Sequence, residues 1–195
     1  MIKRILDFLL SLSAMLLLWP MFLLIAVLIK IDSKGPVFFK QKRIGKDKKE
    51  FYIVKFRTMR TDTPSDMPTH LLQNPQAFIT NIGKFLRMSS LDELPQIINI
   101  LKGEMSIIGP RPALWNQYDL IAERDKYGAN SVYPGLTGWA QIKGRDELPI
   151  DVKAELDREY VKRLSFAFDV EIVLRTILVV LRRDGIKEGK QVFSE

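Results

Sequence analysis

The stretch FLLSLSAMLLLWPMFLLIAVLI, residues 8–29, decides the fold because it carries no charged side chain. Wound as a helix it would be about 33 Å long, against a bilayer hydrocarbon core of roughly 30 Å. It is too long for the apolar core of a cleaved leader, and no Ala-x-Ala site follows it. Pro20 falls in its middle, where it deletes the hydrogen bond to the Leu16 carbonyl. The arms on either side, residues 8–19 and 21–29, would measure about 18 Å and 14 Å, each near half the hydrocarbon thickness. Lys3 and Arg4 flank one end; Lys30, Lys34, Lys40, Lys42, Arg43, Lys46, Lys48 and Lys49 crowd the other. Basic flanks stay on the cytoplasmic side, so both ends prefer the same face. Two structures satisfy this pattern: a helix-break-helix hairpin that re-enters one leaflet, and a spanning helix with a tolerated proline kink.

Working outward, the 195-residue chain is long enough for one globular core behind the apolar segment. Lys and Arg outnumber Asp and Glu by 30 to 23, which predicts an anionic partner such as a phosphorylated molecule or the acidic lipids of the inner leaflet. The absence of cysteine excludes disulfides and thiolate metal sites. VFFKQKRIG and EFYIVKFRTM, separated by KDKK, read as a β-hairpin. Residues 61–80, with three prolines and the lone His70, read as a surface loop with one helical turn, and His70 is given no role. Helices are expected over Leu94–Lys102, stopped by Gly103, from Pro112 through the PALWNQYDLIAERDKYG stretch, and over DVKAELDREYVKRL. YPGLTGWAQIKGR reads as a Gly-punctuated turn followed by a short extended piece. FDVEIVLRTILVVLRR, residues 168–183, fits a core helix or an amphipathic helix lying in the headgroup layer. The expected class is α+β, with residues 1–32 as the membrane segment and 33–195 as a cytoplasmic, membrane-associated catalytic domain.

The chemistry concentrates in SSLDELPQIINILKGEMSIIGPRP, residues 89–112, where Asp92 and Glu93 stand side by side ahead of an apolar helical run. Ser90 and Glu93 match a capping box. Pro95 argues against it, since with Ser90 as cap the proline would remove a real backbone bond. A helix beginning near Asp92 instead places both carboxylates at the positive end of the dipole, which holds them ionised. Carboxylates so placed can ligate Mg²⁺, which keeps waters and reaches for substrate phosphates, or attack phosphorus directly. Phosphoryl chemistry also needs cations around the nonbridging oxygens, and Lys84, Arg87 and Arg111 are close in sequence. Arg111 is held between Pro110 and Pro112, which pre-organises its guanidinium fork for phosphate.

KFRTM (55–59), SSLDELPQIINILKGEMSIIGPRP and PGLTGWAQIKGR (134–145), in this order behind an N-terminal apolar segment, resemble the bacterial sugar transferase family, the monotopic polyprenyl-phosphate phosphoglycosyl transferases. The resemblance runs from about Lys3 to the last long helix and looks like the family's minimal catalytic unit. It implies transfer of a sugar 1-phosphate from a UDP-sugar to undecaprenyl phosphate with release of UMP, at the cytoplasmic face of the bacterial inner membrane. Asp92 would be the nucleophile forming a phosphosugar-aspartyl intermediate. Glu93 would hold Mg²⁺ with Asp92, and Lys55, Arg87, Arg111 and Arg145 would bind phosphates. Gln141 and Trp139 would lie near the nucleotide or lipid. The family's N-terminal segment is a re-entrant hairpin broken at proline, here Pro20; where the family commonly has Ser before that proline, this chain has Trp19. The resemblance leaves homo-oligomerisation open.

Two other functions are weighed against this one. A metal-dependent glycosyltransferase would release UDP rather than UMP, and such enzymes commonly use Asp-x-Asp, which does not occur here. A non-catalytic basic adaptor at the membrane surface would explain the charge but leaves Asp92, Glu93 and Arg111 without purpose. Nucleic acid is not expected as a partner, because the basic residues cluster beside the apolar segment and no binding signature accompanies them.

Overall fold

The computed structural model describes residues 2–64, 74–144 and 148–182. Among them the fold is α+β, with seven α-helices and two small two-stranded sheets. Helix α1 (Ile2–Asp32) contains Pro20 within it. The backbone thus stays helical on both sides of the proline, rather than breaking into two separately assigned arms. Among the described residues α1 is the one helix long and apolar enough to cross a membrane. Its middle is bare: Leu16, Leu17 and Trp19 are exposed, Leu17 at 77%. Its two ends are not. Near the start, Asp7 and Ser11 are buried; near the end, Ile25 and Ile29 are.

Strands β1 (Phe38–Ile44) and β2 (Glu50–Phe56) pair antiparallel, with Phe38 opposite Phe56 and Lys42 opposite Tyr52. The KDKK turn reverses the chain through left-handed Asp47 and Lys48. Phe56 stacks on Phe38 and meets Phe22 of α1, which joins the hairpin to the apolar helix. That core is completed by Ile25, Ile29 and Leu86 of α2 (Asn81–Met88).

Helix α2 is not anticipated above. Thr80 caps it by accepting from the Gly83 N–H at 3.0 Å, and Asp32 accepts from the Ile82 N–H at 3.0 Å. Gly83 is required because a β-carbon there would collide with the backbone of Thr58.

Helix α3 (Gln96–Leu101) is shorter than expected and ends, as anticipated, at Gly103 with φ of +83°. A second core of Phe51, Ile53, Ile100 and Met105 lies between α3 and the hairpin. Strand β3 (Ser106–Ile108) pairs parallel with β4 (Gly135–Thr137). Helix α4 begins at Tyr118 and runs to Asp125, not from Pro112. The reason is that the carbonyls of Pro112 and Ala113 are taken by Arg43 and by the Ile44 N–H. After β4 the chain enters a short helix, α5 (Trp139–Lys143), so the extended piece precedes the Gly138 turn instead of following it. Helices α6 (Ile150–Lys162) and α7 (Phe166–Arg182) follow. Trp139, Tyr160, Phe168 and Ile172 form the third core with Ile108. Helix α7 thus buries one stripe while Phe166, Leu174, Ile177 and Leu181 remain exposed.

Candidate active site

Asp92 and Glu93 lie on a single 3-10 turn (Leu91–Glu93) immediately ahead of α3. Ser90 before it is left-handed, with φ of +57°, and makes no side-chain capping bond, so the capping box does not form. Pro95 stands at the entrance of α3, where its missing N–H costs nothing.

Three elements bring cations to this turn. Lys55, near the end of β2, places Nζ 2.8 Å from Glu93 Oε1. Arg111 reaches the same carboxylate as a fork, Nη2 at 2.9 Å from Oε1 and Nη1 at 3.3 Å from Oε2. Arg87, in the last turn of α2, acts on Asp92 through its charge. Burial pushes Glu93 upward, but Arg111 and Lys55 outweigh it together and hold its carboxyl well below the usual range. Burial lowers Lys55, and Glu93 opposes that shift.

Asp92 behaves differently. Burial pushes it up, Lys55 lowers it, and Glu93 raises it again, leaving a pKa of about 6. The expectation that the helix dipole holds both carboxylates ionised gives way to a different cause: Arg111 and Lys55 hold Glu93 low, while burial pushes Asp92 up. No described residue hydrogen-bonds or ion-pairs with the Asp92 carboxylate, while its neighbour is forked by two cations.

The corner carrying Arg111 is fixed on both sides. The Pro110 carbonyl accepts from Gly135 N–H at 2.9 Å, and the Pro112 carbonyl accepts from Arg43 Nη1 at 3.0 Å. Gly109 and Gly135 are pressed back to back, such that a β-carbon on Gly135 would strike the Gly109 backbone. The two glycine-bearing motifs, IIGPRP and PGLTG, are in this way halves of one scaffold. A second fixture is Asn99 on α3, fully buried. Its Oδ1 accepts from Val54 N–H at 3.0 Å, and its Nδ2 donates to the Tyr52 carbonyl and to Glu104 Oε2. This amide sets β2, and with it Lys55, against the turn holding Glu93. Arg57 of the KFRTM motif clamps the exit of α1 instead, donating to the carbonyls of Ser33 and Lys34. Sequence reasoning missed Arg43 and Asn99. An amide inside the apolar run QIINIL, paired with no helix-cap role, was the available signal for Asn99.

Of the residues expected at the site, Lys55, Arg87, Asp92, Glu93 and Arg111 come together. Gln141 sits on α5 and donates to the Leu136 carbonyl at 3.0 Å, away from the carboxylate pair in its contacts. Trp139 is a core residue, packed on Phe168 and donating to Glu159 Oε2 at 2.7 Å. Lys84 is exposed on α2. Arg145 and His70 lie outside the described residues.

Among the described residues no cluster of three His, Cys, Asp or Glu side chains exists that could cage a metal. Two adjacent carboxylates supply too few ligands to enclose an ion, and would suit one that keeps most of its waters.

A family model described as "Bacterial sugar transferase" matches residues 1–183. The chain is 41% identical over 186 residues to the UDP-glucose:undecaprenyl-phosphate glucose-1-phosphate transferase of Xanthomonas campestris pv. campestris, covering 92% of this chain and 38% of that protein. It is 41% identical over 185 residues to the protein of the same name from Escherichia coli K12, covering 91% of this chain and 39% of the relative. The uncharacterized sugar transferase EpsL of Bacillus subtilis strain 168 is 40% identical over 199 residues, covering 100% of this chain and 94% of its own length. The chain thus spans well under half the length of the two named glucose-1-phosphate transferases. With the family model spanning nearly all of it, the chain belongs to the bacterial sugar transferase family.

Proposed function

We propose that this chain transfers a sugar 1-phosphate from a UDP-sugar to undecaprenyl phosphate, an early membrane step in building a surface glycan. The observation that carries the reading is the unequal pair: Glu93 locked by Lys55 and Arg111, and Asp92 beside it with no direct hydrogen bond or ion pair among the described residues. In the first half-reaction an Asp92 carboxylate oxygen attacks the β-phosphorus of the donor. The bond from that phosphorus to the bridging oxygen breaks, UMP leaves with the electron pair, and the sugar phosphate remains on Asp92. In the second, an oxygen of the lipid phosphate attacks the same phosphorus, the aspartyl–phosphorus bond breaks, and Asp92 returns as a carboxylate. The lipid phosphate is already anionic, so neither half-reaction requires a strong base.

Glu93 serves here by positioning. It fixes the Lys55 ammonium and the Arg111 guanidinium beside Asp92, so that their positive charge faces the phosphate oxygens. Arg87 adds a third cation, and Gln141 and Arg145 are proposed to contact the substrates. Asp92 and Glu93 would hold Mg²⁺, which when bound neutralises charge on the substrate phosphates.

We also propose that α1 enters and leaves the same leaflet, with the remainder of the chain on the cytoplasmic face of the inner membrane. Support comes from what the two ends touch. Lys3 pairs with Asp169 at 2.6 Å, Arg4 donates to the Met105 carbonyl at 2.6 Å, and Asp7 accepts from Ser106 Oγ at 2.8 Å and from Ile107 N–H at 3.1 Å. At the far end Asp32 accepts from α2. One body binding both ends is hard to divide across roughly 30 Å of hydrocarbon. Single cysteines in this cysteine-free chain, Ile2→Cys and Lys46→Cys, are expected to label from the cytoplasmic side alike; labelling from opposite sides would mean a spanning helix.

The functional test uses purified full-length protein with UDP-sugars, Mg²⁺ and polyprenyl phosphate. Donor alone is expected to yield a stoichiometric burst of UMP and a mass increment on the peptide carrying Asp92. Release of UDP would indicate sugar transfer without phosphate. Product formation with no modified Asp92 would remove the covalent route.

A further inference from the structure

Arg43 stands on β1 two residues beyond Gln41 and directly opposite Phe51. Alternate residues of a strand share a face, and so do residues opposite one another in a pair. Gln41 and Arg43 therefore lie on the hairpin face that carries Lys55, Ile53 and Phe51. From that face the Arg43 guanidinium makes two bonds, Nη2 donating to Gln41 Oε1 at 2.5 Å and Nη1 to the Pro112 carbonyl at 3.0 Å. Its backbone bridges to Leu114, and the Ile44 N–H reaches the Ala113 carbonyl at 2.9 Å. Pro110 and Pro112 have no N–H to give, so the corner between them is held through its carbonyls. The first is taken by the Gly135 backbone, the second by the Arg43 side chain. Arg43 also acts on Lys55 through its charge. That repulsion is a cost which a neutral amide tie to Pro112 would avoid and which an anionic substrate offsets.

We propose that Arg43 is a positioning residue for the transfer reaction: it holds the Arg111 corner in register with Lys55, so that both cations meet one phosphate group of the donor. This rests on the phosphosugar-transfer reading above. Lys55 comes from β2 and Arg111 from the corner after β3. Glu93 gathers the tips of these two side chains. Arg43 ties their backbones, since β1 is paired to β2 along its length and bonded to the corner at Pro112.

The test is a double-variant cycle on the full chain: Arg43→Met, Arg111→Met and the two together. It is read in the donor-only UMP burst, with the UDP-sugar that gives the unmodified protein its largest burst. The rate constant at saturation reports positioning, and the amplitude reports the fraction of competent molecules. Arg43→Met is expected to slow the rate constant about ten- to a hundred-fold, the scale for a misplaced reacting group. In the Arg111→Met background the same change should cost less than about threefold, because residues acting as a unit are not additive. Arg43→Lys keeps the charge without the planar fork, so it should stay at least about fivefold slow. If Arg43→Met does not fold, Arg43→Lys carries the cycle in its place. A rate constant within twofold of the unmodified protein, with the loss confined to amplitude, would overturn the proposal, since that marks a purely structural tie. Equal slowing in both backgrounds would overturn it too, because Arg43 would then act independently of Arg111. An unmodified protein that gives neither UMP nor an Asp92 adduct would instead bring down the transfer reading itself, and this proposal with it.

Discussion

Two carboxylate sites in this molecule meet cations in opposite ways. Between α4 and α6, Asp157 is 1% exposed and meets Arg124 with Nε at 2.8 Å and Nη2 at 2.6 Å. Burial raises Asp157, and the Arg124 charge opposes it. The Arg124 fork closes directly on this one carboxylate, with Lys153 adding only charge from farther off. At the mouth of α3 two carboxylates meet Lys55, Arg87 and Arg111; Glu93 bonds two of those cations directly, and Asp92 feels all three through charge with no direct bond to them among the described residues. The closed pair has no further chemistry to offer. The open cluster gathers three cations around two carboxylates, an arrangement suited to receiving an anionic group. In a basic chain, the arrangement of the charges separates the two cases where their number does not.

The largest expected break in this comparison is Asp92→Asn. Turnover and the UMP burst should vanish, while membrane extraction and folding persist, as followed by product release and thermal unfolding. Retained turnover would place the nucleophile elsewhere.

The next effect falls on the other side. Arg124→Met leaves a buried charge uncompensated and should destabilise by about 3–5 kcal/mol, with the rate per folded molecule unchanged. Adding Asp157→Leu should recover most of the loss. Denaturant titration alongside the UMP assay reads both, and a stability loss that the double variant leaves untouched would refute the closed-pair description.

The smallest effect sharpens the contrast through pH. With Asp92 raised to about 6, the donor-only burst should fall roughly tenfold per unit as pH drops below that value, and Asp92 should supply this acid limb. The stability sign runs the other way. Between the ordinary 3.8 and about 6, native Asp92 keeps a proton that the unfolded chain has lost. Its contribution therefore becomes less favourable as pH rises through this window, and Asp92→Asn should gain stability relative to the unmodified protein above pH 6. A flat burst rate from pH 7 to 5 would contradict the assignment.

The parts of this architecture that were legible from residues are those with local causes. The hairpin shows in its aromatic, β-branched strands and the KDKK reversal, and Gly103 marks a helix end because its backbone is left-handed. The candidate cluster was legible in the grouping of Asp92, Glu93, Arg87 and Arg111, with Lys55 added by family resemblance. What escaped depends on distant partners. Strands of three residues, β3 and β4, have no periodicity to read, and their pairing relies on glycines meeting 26 positions apart, Gly109 against Gly135. Pro112 has the right chemistry to open a helix, yet Arg43 and Ile44 claim the carbonyls there. Helix α2 carries a clear Thr80 cap that the neighbouring prolines obscured. Trp139 looked like a ligand-facing aromatic and is core, because α6 and α7 close over it.

The foot of α1 has a practical corollary for anyone preparing this protein. Asp7 is the acceptor for Ser106 and Ile107, on the strand that leads directly into the Gly109–Pro112 corner. Lys3 is likewise joined through Asp169 to Tyr160, whose one hydroxyl proton is shared between Asp169 Oδ1 and the Ile108 carbonyl. Trimming the greasy leader to obtain a detergent-free version would withdraw keystones from the arch that presents Arg111. Solubilisation is better sought by repainting the bare middle of that helix with polar side chains and leaving both of its ends in place.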